Sequence, residues 1–290
     1  MRLRLRKIVS KPRLLFRPDP VLGWSLTPDH GVQVQFRPDI IQTIGPGGWR
    51  NVPGATDPTR SRLAIYGCSF TYGTCLADEE TYVALLQKDM PKAQLLNRGI
   101  GGQGTVQNFL QFRRDIANSH VDAAVFAIFS DHRFRNIAHP RRMRQFMNME
   151  WYGLGVEHVP FLRQGRGGEN TIVYVPLWQP ALKQGGFNDF LPDDHMIDTA
   201  TLTILAEIQD LAQTHSIPVQ FALLDQNDPG FNDIVQKRFT STLDVSVPLD
   251  IIHSFMPLDR HPNQTANRIF ADRLLPAVKN LVAQAKGDLT

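Results

Sequence analysis

Leu63-Ala64-Ile65-Tyr66-Gly67-Cys68-Ser69-Phe70-Thr71-Tyr72-Gly73 is the stretch that decides the fold. Leu63 to Tyr66 is a short apolar run, the pattern of a strand covered on both faces. Small residues follow at once, so the chain can turn sharply and leave the Ser69 hydroxyl at the strand's carboxyl end. Beyond this point short apolar runs alternate with longer amphipathic stretches, which predicts an α/β fold. The expected architecture is a three-layer α/β/α sandwich around a parallel, flavodoxin-like sheet of about five strands. Strands are expected at Leu63–Tyr66, Gln94–Asn97, Ala123–Phe129, Thr171–Val175 and Val219–Leu224, with a further candidate at Val247–Ile251. Helices are expected at Glu79–Met90, Thr105–Asn118, Thr199–His215, Asp233–Phe239 and Asn263–Ala285. Residues 132–170 read as a long irregular insertion rich in arginine.

Upstream, residues 1–60 read as a basic arm followed by an extended Pro/Gly-rich lead-in, and residues 61–290 as the main domain. The 290 residues, 42% of them apolar and 20% charged, are enough to fill one large core or two modest ones. No apolar run approaches the length of a membrane span. The formal net charge of +3 is concentrated at one end. Arg2, Arg4, Arg6, Lys7, Lys11, Arg13 and Arg17 fall in the first 18 residues with no acid among them, so the remainder is acidic on balance. That distribution argues against a nucleic-acid partner for the body of the protein and makes the arm a candidate for peripheral contact with an anionic membrane. The arm lacks the apolar segment of a signal peptide. The two cysteines, Cys68 and Cys75, form no disulfide framework or zinc spacing, which points to a reducing, cytoplasmic setting.

In open parallel sheets ligands sit at the carboxyl ends of the strands, so the residues just after each strand carry the functional reading. Ser69 follows the first. Asn97-Arg98-Gly99-Ile100-Gly101-Gly102-Gln103-Gly104 follows the second, a loop whose bare backbone N–H groups can approach an oxyanion. Near the carboxyl terminus, Asp259 and His261 stand two apart in a loop, where a carboxylate can orient an imidazole base. The histidines show no metal-ligand spacing, and neither a metal nor a cofactor is expected.

These three pieces, in this order, resemble the SGNH (GDSL-type) hydrolase superfamily over about residues 61–285. The lead-in, with Gly23-Trp24 and Gly48-Trp49-Arg50-Asn51, resembles that of some bacterial members acting on acylated glycans. The resemblance implies Ser69 as nucleophile, His261 as general base and Asp259 as its orienting carboxylate. It implies an oxyanion hole of the Ser69 and Gly102 N–H groups. Three positions depart from the family pattern. Cys68 replaces the aspartate of Gly-Asp-Ser, the Asp–His spacing is two where many relatives have three, and Ser130 stands where the oxyanion-hole asparagine is expected. Ser130 is a candidate substitute donor, as are His132, Arg133 and Asn136.

The expected function is a serine ester hydrolase removing a small, acetyl-like acyl group from a carbohydrate or related ester. The alternatives are an O-acyltransferase using the same triad, a catalytically degenerate glycan-binding module, and a dinucleotide-binding domain, since Gly99 to Gly104 also fits Gly-x-Gly-x-x-Gly. Asp131, His132, Arg133 and Trp178 are weaker substrate-binding candidates. The arginines at 133, 135, 141, 142 and 144 form either an anion clamp or a solvated basic face.

Overall fold

The structure is a computed structural model that describes residues 15–55, 61–147, 151–165, 170–178 and 192–286. Most of the basic arm therefore lies outside the described residues. The described residues begin with two antiparallel hairpins, β1 (Phe16–Asp19) with β2 (Gly23–Leu26) and β3 (His30–Val34) with β4 (Arg37–Ile44). The central sheet contains β5 (Ser61–Gly67), β6 (Ala93–Gly99), β7 (Ala123–Ile128), β10 (Val219–Asp225) and β11 (Thr242–Val247) in the order β11-β10-β7-β5-β6. All its pairings are parallel. In order of sequence this is the 2-1-3-4-5 arrangement of the flavodoxin-like sheet, and its topological switch falls beside β5.

The period of two along β5 explains the three layers. Leu63 and Ile65 point into one core, with α2 (Tyr82–Asp89) and α8 (Gln264–Lys286) contributing Val83, Leu86, Phe270 and Leu274. Ala64 and Tyr66 point into the other, against Phe109 and Phe112 of α3 (Thr105–Ala117) and Leu205 and Ile208 of α6 (Asp194–Thr214). The lead-in packs into this second core through Leu22, Trp24, Leu26 and Ile44. It also bridges to the sheet edge, Arg50 pairing with Asn97.

Three expectations are corrected by the fold. Thr171–Val175 lies in β9 (Asn170–Pro176), which pairs antiparallel with β8 (His158–Gln164) outside the central sheet. The fifth central strand is β11, which ends where the candidate at Val247–Ile251 begins. Parallel strands need a covering helix between them, and α7 (Pro229–Arg238) returns the chain directly into 242–247. Nor is the 132–170 segment irregular: it holds α4 (His132–Asn136), α5 (Pro140–Met147) and β8.

Candidate active site

Ser69 is the first residue of α1 (Ser69–Tyr72), a single turn at the end of β5. The turn fits because its neighbours have no side chains. A Cβ on Gly67 would lie 2.1 Å from Thr71 Oγ1, and one on Gly99 would lie 2.2 Å from the Tyr72 backbone nitrogen. Gly73 ends the turn at φ 80°, in the left-handed region that glycine occupies without strain. As first residue of the turn, Ser69 has an N–H with no helical partner. Cys68 points away into the apolar core with Leu63 and Val83, where it packs as a small hydrophobe. Neither Cys68 nor Cys75 is in a disulfide.

His261 comes to the same place from the other end of the chain. Its Nδ1 lies 2.5 Å from Asp259 Oδ1, which also accepts the His261 backbone N–H at 2.7 Å. Backbone hydrogen bonds from Phe255 to His261 and from Asn263 to His253 brace this loop, while Asn263 Oδ1 accepts the Ala266 N–H at the start of α8. The imidazole packs edge-on against Phe70, which stacks on Phe129. Burial pushes the Asp259 carboxyl up, but the hydrogen bonds and charge of His261, with a smaller contribution from the Cys75 thiol, hold it below the usual carboxylate range. With Nδ1 occupied by an ionised carboxylate, Nε2 is the nitrogen left to act as a base. A second pair in this loop, Asp250 and His253 at 2.8 Å, has the three-residue spacing but borders neither of the cavities that Ser69 borders.

Ser69 and His261 line two adjoining cavities together, of about 420 and 310 Å³. Arg135 borders both. The larger carries the charged groups of Asp131, Arg133, Arg141 and Arg260 among Phe70, Phe129 and Phe134. The smaller is aromatic, bounded by Phe16, Tyr72, Phe146 and Trp151 with Gly101, Gly102 and Arg142.

The glycine loop between β6 and α3 is fixed carbonyl by carbonyl. Gly101 O accepts Trp24 Nε1–H at 3.1 Å, Gly102 O accepts from Arg142 Nη2, and Gln103 O accepts Arg135 Nη1 at 3.1 Å. A trans peptide points its C=O and the following N–H in opposite directions, so the hold on Gly101 O turns the Gly102 N–H away from Trp24. Among the described residues that N–H makes no hydrogen bond, and Gly102 sits at φ 79° on the cavity wall.

The remaining candidates are distributed differently. Ser130 borders the larger cavity, but its hydroxyl donates to Asp225 Oδ2 at 2.6 Å and its N–H to Oδ1 at 2.8 Å. Its proton is therefore engaged by a buried carboxylate. His132 is fully buried behind the wall against Phe129, and burial together with Arg135 and Arg142 pushes it well below the usual imidazole range. Arg133 is ion-paired with Asp198, Asp228 and Asp194. Asp131 occupies the N-cap position of α4 and bridges Arg135 and Arg141. Asn136 Oδ1 accepts the Val106 N–H and its amide donates to Thr201. Trp178 is 54% exposed and borders neither cavity. The sequence reading ranked Arg142 only as one of a basic cluster and gave Trp24 no role at the loop; their contacts depend on long-range packing that no local motif announces.

No protein-family model matches the chain, and no curated protein sequence matches it. Among solved structures, similar ones include a member of the lipolytic protein G-D-S-L family from Veillonella parvula, at 13% identity over 76% of this chain and 98% of that one, with a TM-score of 0.44. The chain resembles G-D-S-L lipolytic proteins and esterases. The psychrotrophic esterase EstA from a Pseudoalteromonas species is 12% identical over 76% of this chain and 97% of its own, with a TM-score of 0.44. An acetyl xylan esterase is 15% identical over 75% of this chain and 99% of its own, with a TM-score of 0.45.

Proposed function

We propose that the chain is a serine ester hydrolase acting through an acyl-serine intermediate, with Ser69, Asp259 and His261 as its triad. The observation that carries this reading is that Ser69 and a carboxylate-held His261 border the same two cavities. Ser69 Oγ attacks the ester carbonyl while His261 Nε2 takes its proton, and the oxyanion is held by the N–H groups of Ser69 and Gly102. Collapse breaks the bond to the alcohol, which leaves with the proton from Nε2. Water then attacks the acyl-serine, gives a proton to Nε2, and releases the acid as Ser69 Oγ recovers that proton. No cofactor enters these steps.

The substrate is a small acyl ester of a carbohydrate or a related alcohol, the larger cavity offering hydrogen-bonding side chains to the alcohol part. Acyl transfer to a sugar hydroxyl would use the same intermediate with a different second nucleophile. The test is intact mass after exposure to a fluorophosphonate, on wild type, Ser69→Ala and His261→Ala. One adduct on wild type, absent in Ser69→Ala and slowed in His261→Ala, is the expected result; no adduct on folded wild type would overturn the reading. The arm of residues 1–17 is proposed to touch anionic membrane peripherally, and its deletion should abolish salt-sensitive binding to anionic vesicles.

A further inference from the structure

The oxyanion in this reading has two backbone donors but lacks a side-chain donor at position 130, because the Ser130 hydroxyl is committed to Asp225. Loss of one such donor lowers turnover by about a hundredfold or more, so an active site with this gap needs another source of positive potential. The cavity wall supplies one. Arg142 is buried, stacks 4.3 Å over the Phe146 ring, and donates to Gly102 O and to Gln145 Oε1 at 2.9 Å. It borders the aromatic cavity together with Ser69, Gly102 and His261.

Its charge is not neutralised locally. Among the described residues Arg142 has no ion pair, and Asp131, the nearby acid, is already shared by Arg135 and Arg141. Arg135 borders the same cavity, but it is 3.0 Å from Asp131 and acts largely as one end of a dipole. A desolvated guanidinium without a carboxylate is unfavourable in the resting protein. It becomes favourable when negative charge develops beside it, and the burial of Arg142 against the aromatic wall reduces the screening of that attraction.

We propose that Arg142 supplies the transition-state stabilisation that Ser130 does not, holding Gly102 in place and setting an unneutralised cation beside the oxyanion hole. It is a positioning residue, acting through Gly102 and through its field. The inference rests on the acyl-serine reading above. It predicts a loss confined to the charged transition state, whereas a clamp on an anionic substrate would act on binding.

The test compares wild type, Arg142→Lys and Arg142→Gln on the neutral ester p-nitrophenyl acetate, with phenylboronic acid as a probe that forms a tetrahedral anion on the serine. For Arg142→Gln we expect kcat to fall about 10- to 100-fold with KM within about twofold, and boronate affinity to fall in parallel. Arg142→Lys keeps the charge and should recover most of both. A purely structural role predicts instead that both variants lose activity in step with their unfolding midpoints. Arg142→Gln that keeps kcat within about threefold, or that raises KM alone, overturns the proposal. If Arg142→Gln does not fold, Arg142→Lys decides: kcat within about tenfold of wild type with parallel boronate binding supports the charge, and a loss as deep as that of Ser69→Ala refutes it. Wild type that forms neither a boronate nor a phosphonate adduct would instead sink the acyl-serine reading.

Discussion

Ser130→Ala separates the two roles open to that hydroxyl. The Asp225 carboxylate is 1% exposed, with Oδ1 accepting the Ser130 N–H and Oδ2 accepting the Ser130 hydroxyl at 2.6 Å and the Asn227 N–H at 3.2 Å. Removing Oγ leaves Oδ2 with the longer bond alone. A hydrogen bond to a charged group contributes about 1.5–3 kcal/mol, so the variant should lose about 2 kcal/mol of stability at neutral pH. Burial already pushes the Asp225 carboxyl up, partly opposed by the Ser130 bonds, and the substitution pushes it further. A carboxyl raised in the folded state binds its proton more tightly there than in the unfolded chain. Stability therefore recovers as pH falls through the folded value, and the deficit of the variant should shrink in mild acid. Denaturant unfolding at neutral and mildly acidic pH, with unchanged m-value, measures this. Turnover of a simple ester should fall by less than about tenfold. A hundredfold loss of kcat in a variant of unchanged stability would show that the hydroxyl serves the oxyanion and that the assignment to Asp225 is wrong.

Gly99→Ala would drive a Cβ to 2.2 Å from the Tyr72 nitrogen, and should cost about 3 kcal/mol with loss of fluorophosphonate labelling; Gly45→Ala, with nothing within 4 Å, is the control expected within about 0.5 kcal/mol. Asp259→Asn removes the anion beside His261 Nδ1 and should lower kcat about a thousandfold, read by steady-state kinetics. Because the Asp259 carboxyl is held below its ordinary range, its contribution to stability is present above the unfolded value and is lost as pH falls through the folded one; wild type should therefore lose more stability than Asp259→Asn on acidification. Trp178→Ala should leave kcat/KM within about twofold, since the ring is 54% exposed and borders neither cavity.

The fold was legible where burial is two-sided. Leu63–Tyr66 and Ala123–Phe129 are continuous apolar runs, Val219–Leu224 is apolar but for Gln220, and each forms a central strand. Thr171–Val175 has the same apolar, β-branched composition but is half-exposed in a hairpin, and composition alone does not separate a hairpin strand from a sheet strand. Helix starts were placed late: α6 begins at Asp194 behind the Asp193 cap, and α7 at Pro229 behind Asp228, both signals present in the sequence as cap and first-turn residues. At the candidate site, the positions of Ser69 and of the Asp259–His261 pair were legible because a sharp turn after a strand demands small residues and a two-residue spacing lets the carboxylate reach the imidazole, whereas Gly102 entered through the family resemblance. The partners of Ser130 and Gly102 were not, because Asp225 and Arg142 reach them across 95 and 40 residues of chain.

The arginines of the 132–147 segment show what that distance conceals. From sequence they are one basic cluster; in the fold Arg133, Arg135, Arg141 and Arg142 are held differently. Arg133 is held by three acids from α6 and the start of α7, which pins α4 against the helical layer. Arg135 and Arg141 share Asp131, and Arg135 also fixes Gln103 O. Of the two arginines on the aromatic wall, Arg142 has no acid among the described residues, and it enters against Gly102. An anion clamp would set free guanidinium groups toward one point in the cavity, whereas here Arg133 is neutralised by acids, Arg135 and Arg141 share the single charge of Asp131, and Arg142 stands beside the glycine loop. Under the proposed hydrolase reading, Arg260 and the exposed end of Arg141 are the groups left to meet a charged substrate, while Arg135 and Arg142 hold the glycine loop.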